Sequence, residues 1–371
     1  MAHGAFTHAQ VVCSSRDLFG SDRSALRLID VLRCLGVPDA GLVVPGQRPD
    51  CGLDGRAAEL GIPVTRRTVA IASSKGLDGL RGLASEPADA DLAIYNTSAI
   101  VRGKGADRAR VLILREWISA RRPEQQLLMR LHGRRVDGLV AVSTGVLGQV
   151  DHLLPAHVER AVIPNWLDEV RPAAGAAASE REGIVCVARF NQWKGQEALA
   201  SAWERAFAGM SDPPTLTFVG AEDPPSPFAR RAESLRARAR GRPWRVLPFT
   251  SDVDSVLDES ALLVVPSERP EPFGNVIIEA LNAGCQVLAF AGGGPNDLAR
   301  TFPSVVRVVP RSPGSLARGL HDWYVRSSEP FPIAADEIRA TLLARYSHEA
   351  AVAAWRELLD RIARRRASPR R

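Results

Sequence analysis

Short apolar runs rich in β-branched residues alternate with longer stretches of helical periodicity, and the alternation occurs in two successive series. In the first half, the predicted strands are 10–13, 40–44, 92–95, 110–114, 138–142 and 161–163. In the second half, they are 184–188, 215–219, 245–247, 261–265, 286–290 and 305–309. Strands that alternate with helices predict βαβ units and parallel sheets. The sequence therefore predicts an α/β protein with two doubly wound domains, in which ligands bind at the carboxyl ends of the strands.

The length and one change of composition indicate where the domains divide. A chain of 371 residues is longer than one ordinary core organises. Residues 171–183 are small and polar without periodicity, which is typical of an interdomain linker. We therefore expect a first domain over 1–170, a second over 184–346, a final helix over 347–364 and a basic tail over 365–371. The apolar residues predicted to form the buried stripe of that helix are Ala350, Val352, Ala353, Trp355, Leu358, Leu359 and Ile362.

Charge and composition limit the cellular compartments and the classes of partner that we expect for this protein. The net charge of +6 suits a partner that carries phosphate, whether a nucleotide, a nucleic acid or an anionic membrane. No apolar run reaches the roughly 18 residues needed to span a bilayer, and residues 1–4 do not begin a secretory leader. The five cysteines show no CxxC spacing, so neither disulfides nor structural zinc are expected. We therefore expect a cytoplasmic protein.

The strongest local signal follows the predicted strand 261–265. Glu271 and Glu279 lie eight residues apart, with Gly274 at the predicted helix start. Eight helical residues rise about 12 Å, comparable to the reach from a nucleotide ribose to a sugar beyond its diphosphate. The amides of Gly274, Asn275 and Val276 are predicted to lie at the positive end of the helix, where anionic oxygens bind. Alone, such a pair would more often be two surface glutamates, but the order strand, Pro-Ser, Glu-Pro-Phe-Gly, helix, Ala-Gly, strand favours a binding site.

The second signal is a pair of cations after the predicted strand 184–188. Arg189 and Lys194 lie in the loop before a helix predicted over 196–207. The Arg guanidinium binds two phosphate oxygens at once, whereas the Lys ammonium is a point charge. Fixed cations that stabilise a departing diphosphate lower the barrier to its departure, which makes a divalent metal unnecessary. Each residue taken in isolation is more often a solvated loop cation.

The combination of Arg-x4-Lys-Gly with Glu-x7-Glu, in this order and separation, resembles the retaining family-four glycosyltransferases. The resemblance is firm over 184–297 and continues more weakly before it. It implies the GT-B fold, in which two Rossmann-like domains face each other across a cleft, with the helix over 347–364 packing back on the first domain. It also implies transfer of a sugar from a nucleotide-diphosphate donor to an acceptor hydroxyl with retention of configuration. The leaving phosphate would help to deprotonate the acceptor, without a metal or other cofactor.

The resemblance assigns roles to individual residues of the second domain. Arg189 and Lys194 match the cations that bind the diphosphate. Glu271 matches the contact to the donor sugar, and Glu279 matches the contact to the ribose. The donor-binding loop, whose amides face the sugar and phosphate, corresponds to Phe273, Gly274, Asn275 and Val276. Arg189, Lys194 and Glu271 are accordingly the predicted catalytic residues.

The first domain departs from the family pattern at two places. Gly20 stands where the family has a Gly-rich turn into the first helix, so the resemblance implies a contact of Gly20 with donor phosphate. Asp22 and Arg23 follow it on the predicted acceptor side. Arg115 and Glu116 match the His-x-Arg-Glu segment near the acceptor, but the histidine is missing. Glu116 is therefore the better candidate for the acceptor contact.

Two further patterns favour ordinary structural roles. Asp252 and Asp254 resemble a metal-binding DxD, but they lie where a helix is predicted to begin, so Ser251 or Asp252 is better explained as its N-cap. Seven histidines show no i, i+4 metal pair, and solvent or hydrogen bonds are expected to satisfy His132, His152 and His157. We therefore predict no metal site.

Residues 118–135 form a basic amphipathic pattern. Its apolar and basic members are Leu127, Leu128, Leu131, Arg121, Arg122, Arg130, Arg134 and Arg135. Such a segment can lie on an anionic bilayer and bring an enzyme to a lipid-linked acceptor. A solvated basic face above an ordinary core stripe explains the pattern more simply, so a peripheral membrane contact is the alternative interpretation.

Two other functions remain open beside sugar transfer. A GT-B-like nucleotide-sugar epimerase or hydrolase would be distinguished by its product when no acceptor is added. A non-catalytic sugar-nucleotide binder is favoured by the missing histidine and the single glycine of the first-domain turn, whereas retention of both cations and both glutamates disfavours it. The main hypothesis predicts a nucleotide-sugar ligand and no nucleic-acid partner, whereas the non-catalytic alternative also includes a polyanion binder.

Overall fold

The computed structural model describes residues 6–16, 18, 20–67, 90–98, 108–172, 181–221, 229–250, 252–326 and 335–367. The chain divides into two compact units. Unit 1 comprises Met1–Asp168 and His348–Arg371, and unit 2 comprises Glu169–Ser347. Most of the predicted linker, 173–180, and the end of the predicted basic tail, 368–371, lie outside the described residues.

Unit 1 contains a parallel sheet of seven strands. They are β1 His8–Val12, β2 Asp39–Pro45, β3 Val64–Arg67, β4 Leu92–Tyr95, β5 Ala109–Leu114, β6 Gly138–Ala141 and β7 Glu159–Val162. The helices that follow the strands are α1 Gly20–Cys34, α2 Leu53–Glu59, α3 Pro123–Gly133 and α4 Thr144–Val150. The strand order is β3-β2-β1-β4-β5-β6-β7. Every residue of β4 and β5 is buried, as expected for a parallel sheet covered on both faces.

Unit 2 contains a parallel sheet of six strands. They are β8 Ile184–Val187, β9 Leu216–Val219, β10 Trp244–Leu247, β11 Leu262–Val265, β12 Gln286–Phe290 and β13 Val306–Val309. The helices are α5 Gln196–Ala206, α6 Ala229–Arg238, α7 Val253–Asp258, α8 Asn275–Ala283, α9 Gly294–Thr301, α10 Pro313–Arg326 and α11 Ala335–Tyr346. The strand order is β10-β9-β8-β11-β12-β13. The core includes edge-to-face contacts of Trp203 with Phe207 and Trp244, at centroid separations of 5.4 and 5.3 Å.

The predicted α/β class is confirmed, and all twelve predicted strands are present with ends shifted by at most two residues. The sequence analysis missed β3, an edge strand whose residues are at best half-buried and which therefore lacks a strong apolar pattern. In each sheet the order reverses beside the first strand, between β1 and β4 in unit 1 and between β8 and β11 in unit 2. Such a switch point opens a crevice at the carboxyl ends of the strands, where doubly wound proteins bind ligands.

The last helix, α12 His348–Ala367, belongs to unit 1. Its Arg361 donates hydrogen bonds to the Glu159 carboxylate and to the Arg160 carbonyl of β7. The buried face consists of Ala351, Trp355, Leu358, Leu359 and Ile362. The predicted stripe was therefore wrong in the first two turns, where Ala353 is exposed and Ala350 and Val352 are partly exposed. The buried face continues from Trp355 to Ala351, which lies four residues earlier and therefore on the same side of the helix.

The predicted helix over 118–135 is shorter in the structure, where α3 begins at Pro123 and ends at Gly133. A proline is favourable at the first position of a helix, because its missing N–H has no partner there. Met129 and His132 are buried, whereas Leu127 and Leu131 are 59% and 41% exposed. The expected burial of these two leucines in a core stripe was therefore wrong. No helix of the described residues is long and apolar enough to cross a membrane.

Candidate functional site

A lysine and a glutamate meet at the switch point of unit 2. Lys194 lies in a single 3-10 turn after β8, and Glu271 lies in the loop after β11. Lys194 Nζ donates to Glu271 Oε2 at 2.8 Å, and Ser267 Oγ donates to the same oxygen at 2.8 Å. The side chains of Lys194 and Glu271 are 19% and 12% exposed. The two motifs found in the sequence are thus brought together, 77 residues apart along the chain.

Glycines hold this pair in place by allowing loops to pack backbone on backbone. Gly195 has φ 75°, and a Cβ there would lie 1.9 Å from the Pro266 carbonyl oxygen. A Cβ on Gly294 would lie 2.0 Å from the carbonyl oxygen of Phe273. The Gly294 N–H also donates to the Glu271 carbonyl at 3.0 Å. Only glycine fits at these positions, so the loops after β8, β11 and β12 form one packed layer around Lys194 and Glu271.

Arg189 follows the end of β8 and is partly buried. The amide Nε2 of Gln196, the first residue of α5, donates to the Arg189 carbonyl at 2.9 Å and fixes the loop backbone. Within the same loop Asn191 is 7% exposed, and its Oδ1 has no hydrogen-bond partner in the described structure. Asn191 is therefore a further candidate for ligand contact. Sequence reasoning missed it because a single loop Asn carries no spacing signal.

The helical spacing inferred between Glu271 and Glu279 was wrong. Helix α8 begins at Asn275, and Gly274 is its left-handed N-cap at φ 92° and ψ 67°. Glu271 therefore precedes the helix and forms a bridge with Gly293. Only the four steps from Asn275 to Glu279 are helical, a rise of about 6 Å. The chain thus places Glu271 by loop packing rather than by helical periodicity.

The donor-binding loop nevertheless lies at the start of a helix, as predicted. The N–H groups of Asn275, Val276 and Ile277 lie in the first turn of α8, and that of Ile277 donates to the Gly274 carbonyl at 2.9 Å. These groups carry the positive end of the helix dipole, which favours anions. Phe273 is 4% exposed and packs at 6.2 Å from the ring of Tyr346, so its side chain serves the core. Glu279 is partly buried in the second turn of α8.

In unit 1 a partly buried arginine lies at the ends of the central strands. Arg115 follows β5; its Nε donates to Asn96 Oδ1 at 2.8 Å, and its Nη1 donates to Asn165 Oδ1. Asn96 follows β4, and Asn165 follows β7. Burial lowers the pKa of Arg115 to about 10, which still leaves the guanidinium charged at neutral pH. Arg115 is thus a fixed cation whose donors bind neutral amides.

Acidic groups surround this arginine. Glu116 accepts hydrogen bonds from Thr97 Oγ1 at 2.5 Å and from Ser98 Oγ at 3.3 Å. Asp22, in the first turn of α1, is 2% exposed and accepts from Ser15 Oγ at 2.9 Å. Both carboxylates favour the charged form of Arg115.

The structure therefore brings Asp22, Arg115 and Glu116 into one cluster, whereas Gly20 and Arg23 are exposed on α1. Sequence reasoning missed the polar residues that follow β1 and β4: Ser15, Asn96, Thr97 and Ser98. Their shared signal is that each follows the carboxyl end of a buried strand.

Of the described residues for which the sequence favours structural roles, Asp252, Asp254 and His132 have polar partners within the protein. Asp252 is the N-cap of α7, and its carboxylate accepts from the Ser255 N–H at 3.0 Å. Asp254 pairs with Arg171 at 2.6 Å. The N-cap prediction for Asp252 is confirmed, and the alternative N-cap, Ser251, lies outside the described residues. His132 Nε2 lies 2.8 Å from the Ser98 carbonyl oxygen, and two further histidines, His152 and His157, are exposed.

Comparison with known families finds a match for unit 2. Residues 181–324, less than half of the 371-residue chain, match the family model described as Glycosyl transferases group 1. A curated relative, an uncharacterized 42.6 kDa protein in the cps region of Klebsiella pneumoniae, is 28% identical over 123 residues. That alignment covers 33% of this chain and 28% of the relative.

Solved structures resemble the whole chain. The Anabaena protein Alr3699/HepE in complex with UDP-glucose matches with a TM-score of 0.72 and 20% identity, over 95% of this chain and 99% of that one. Sucrose-phosphate synthase from Thermosynechococcus elongatus matches with a TM-score of 0.71 and 15% identity, over 96% and 99%. The galactosyltransferase WaaB of the lipopolysaccharide outer core matches with a TM-score of 0.67 and 13% identity, over 95% and 99%.

The fold is therefore GT-B, with two Rossmann-like units. Unit 2 carries the sequence signature of the group described as Glycosyl transferases group 1. The matched residues include Arg189, Lys194, Glu271 and Glu279, the residues on which the resemblance was based.

Proposed function

We propose that this protein is a retaining, metal-independent glycosyltransferase that moves a sugar from a nucleotide-diphosphate donor to an acceptor hydroxyl. The observation that carries the proposal is the contact of Lys194 with Glu271 at the switch point of unit 2. A cation for the diphosphate and a carboxylate for the sugar hydroxyls are there held 2.8 Å apart. The two groups are thus close enough together to bind neighbouring parts of one ligand, the diphosphate and the sugar attached to it.

In the proposed reaction the bond between the anomeric carbon and the diphosphate oxygen breaks, while the acceptor oxygen bonds to that carbon from the same face. The acceptor proton passes to an oxygen of the leaving diphosphate. Arg189 and Lys194 stabilise the charge that grows on the diphosphate, and this charge stabilisation replaces a metal ion. Glu271 binds the sugar hydroxyls, and Glu279 binds the ribose diol. No protein nucleophile is needed.

The acceptor is proposed to bind unit 1 beside Glu116. Its carboxylate is oriented by Thr97 and Ser98, which leaves further lone pairs to accept from an acceptor hydroxyl. Arg115 is bound by Asn96 and Asn165 and is therefore a positioning residue rather than a direct ligand.

The first test is a stabilisation screen against nucleotides and nucleotide-sugars, beginning with UDP, because HepE has been solved with UDP. A ligand that binds only the folded protein raises the unfolding temperature. Mass detection of the product, with and without acceptors, then separates transfer from hydrolysis or epimerisation. Stabilisation by a nucleotide diphosphate without any product would favour a non-catalytic binder.

The second test changes the charge of Glu271. Glu271→Gln keeps the side-chain volume and should lower transfer by a factor of about 100 or more, because the sugar contact is weakened and Lys194 loses its counter-ion. The control is Glu268→Gln, an exposed glutamate of the same loop, which should leave the rate unchanged. Near wild-type turnover of Glu271→Gln would contradict the assignment.

We further propose that the enzyme acts at the cytoplasmic face of a membrane on a lipid-linked acceptor. Leu127 and Leu131 lie one turn apart on α3 and are 59% and 41% exposed. Exposed arginines flank them, namely Arg121, Arg122, Arg130 and Arg134. Apolar side chains surrounded by cations match the surface of an anionic bilayer.

The membrane contact is tested by sedimentation with vesicles. Phosphatidylglycerol vesicles should bind the wild-type protein, and phosphatidylcholine vesicles should bind it weakly. The double variant Leu127→Ser/Leu131→Ser should lose most of the binding. Leu343→Ser, which alters a leucine 40% exposed on α11, should keep it. Equal binding of both variants would contradict the assignment to α3.

A further inference from the structure

Three side chains of different metal-ligand types converge on the surface of unit 1. They are Asp30 and Cys34 on α1 and His348, the first residue of α12. One ligand atom of each lies within 4.8 Å of the other two. His348 Nε2 is 3.7 Å from Cys34 Sγ and 3.4 Å from Asp30 Oδ2. We infer that these three residues bind a zinc-class divalent cation, independently of the proposed sugar transfer.

The separations fit tetrahedral coordination. Zinc lies about 2.3 Å from a thiolate sulfur and about 2.0 to 2.1 Å from an imidazole nitrogen or a carboxylate oxygen. At the tetrahedral angle, these bond lengths put nitrogen and sulfur about 3.6 Å apart and nitrogen and oxygen about 3.4 Å apart. The contacts of His348 Nε2, at 3.7 and 3.4 Å, agree with both values.

The helix geometry brings the ligands to one point. Asp30 and Cys34 are four residues apart, so they lie on the same face of α1. His348 comes from a second helix, α12, that packs against α1. The site therefore resembles a helix pair joined by a metal, with two ligands from one helix and a third from the other.

His348 Nε2 has two polar neighbours at once, Cys34 Sγ and Asp30 Oδ2. A neutral imidazole nitrogen either donates its hydrogen or accepts through its lone pair, but does not do both. Nε2 therefore cannot donate to the Asp30 carboxylate and at the same time accept from the Cys34 thiol. A cation at the centre of the three atoms would accept a lone pair from each of them.

The position indicates a structural rather than a catalytic role. The division between the units falls between Ser347 and His348, so His348 is where the chain re-enters unit 1. A bound cation would fasten that return to the end of α1. Cys34 is twelve residues from Asp22 along α1, a distance of about 18 Å, which removes the cation from the Asp22 cluster.

The site escaped the sequence analysis because only two of its three ligands are close together in the sequence. Its cysteine and histidine are 314 residues apart in the chain. The cysteines were examined for CxxC spacing, and the histidines were examined for i, i+4 pairs of histidines. A pair of Asp and Cys at i, i+4 was not among the patterns considered.

The test uses the full chain freed of metal with a chelator and titrated with Co²⁺. Thiolate ligation should produce a sulfur-to-cobalt charge-transfer band that saturates at one Co²⁺ per chain, and Zn²⁺ should displace it. Cys34→Ser should remove the band, and His348→Ala should weaken binding at least tenfold. Two controls, Cys51→Ser and His157→Ala, alter exposed residues outside the cluster and should behave as wild type.

Zn²⁺ should also raise the unfolding temperature of the wild type and of Cys51→Ser, but not that of Cys34→Ser. Cys34 is exposed, so the serine variant should fold and remain informative. Sugar transfer should be unchanged in Cys34→Ser, which separates this inference from the proposed function. The absence of a charge-transfer band in the wild type, or its persistence in Cys34→Ser, would overturn the inference.

Discussion

The two units have the same parallel, doubly wound topology, yet they hold charge differently at their switch points. In unit 2 Lys194 pairs with a carboxylate, and both side chains are partly exposed. In unit 1 Arg115 is also partly exposed, but its donors bind the neutral amide oxygens of Asn96 and Asn165 instead of a carboxylate.

We therefore infer that the charge of Lys194 is available to a ligand, whereas the charge of Arg115 holds neighbouring residues in place. Under the proposed function, Lys194 exchanges its carboxylate partner for phosphate, and Glu271 accepts sugar hydroxyls in turn. Arg115 already donates hydrogen bonds to two neutral amides, and these bonds break if its side chain moves. The same topology thus carries the proposed reactive site in unit 2 and a hydrogen-bonded polar platform in unit 1.

The largest expected effect follows from removing the cation of unit 2. Lys194→Met should lower the transfer rate by a factor of about 100 to 1000, because the charge on the departing diphosphate loses its stabilisation. The measurement is turnover at saturating donor, together with the stabilisation by UDP. The matched variant Lys194→Arg keeps the charge but changes its shape and should be intermediate. If the methionine variant turned over within threefold of wild type, unit 2 would not be the reactive site.

The sequence predicted unit 2 better than unit 1 because the local pattern and the site coincide there. Of the four predicted ligand contacts, Arg189 and Lys194 follow β8, and Glu271 and Glu279 follow β11. Each sequence motif therefore marks one segment of the predicted site. In unit 1 the cluster takes Asp22 from α1, Asn96 from the end of β4 and Arg115 from the end of β5. Each is one polar residue after an apolar run, and only the sheet order shows that they meet.

Even in unit 2 the geometry could not be predicted from the sequence. Glu-x7-Glu suggested a helical spacing, but Gly274 starts the helix after Glu271. The position of Glu271 depends on the close approach of Gly195 to Pro266 and of Gly294 to Phe273. Sequence periodicity does not predict contacts between loops that are far apart in the chain.

The second prediction tests that loop packing. Gly195→Ala should destabilise unit 2 by about 1 to 3 kcal/mol for the left-handed backbone alone, with a further loss from the clash with the Pro266 carbonyl. It should also weaken UDP binding, because the loop carrying Lys194 must shift. The measurements are denaturant unfolding and UDP titration.

Gly209→Ala is the matched control for this change. Gly209 has φ 80°, but nothing lies within 4 Å of a Cβ added there. This variant should show the backbone cost without any loss of UDP affinity. Equal UDP affinities for the two variants would mean that the packing of Gly195 does not position the site.

The third prediction concerns the platform of unit 1. Arg115→Met should lower the free energy of unfolding by about 1 to 3 kcal/mol, because Asn96 loses its donor in a buried site. Transfer should fall through a higher KM for the acceptor, while UDP binding stays unchanged. Arg130→Met, at an exposed arginine of α3, is the control and should leave stability unaltered. A lower UDP affinity in Arg115→Met would show that the two units do not divide donor and acceptor as proposed.

The pH dependence of this variant has a defined sign. Burial lowers the pKa of Arg115 to about 10, from an ordinary value of 12.5. Below the folded pKa both states carry the proton, so the difference in stability between wild type and Arg115→Met should be constant from pH 7 to 9. Above the folded pKa the unfolded chain binds more protons, so the wild type gains relative stability as the pH rises. A difference that changed between pH 7 and 9 would contradict the pKa.

The smallest expected effect comes from the aromatic ring beside Lys194. Lys194 Nζ lies 4.0 Å from the centroid of the Trp193 ring, a geometry worth about 0.5 to 1 kcal/mol. Trp193→Leu should therefore weaken UDP binding about two- to fivefold, whereas Trp193→Phe retains an aromatic face and should lose less. Isothermal titration with UDP measures both. If the ring holds the ammonium in place, its loss should add little in a Lys194→Met background. Equal losses in the two backgrounds would show that the ring contacts the nucleotide itself rather than the cation.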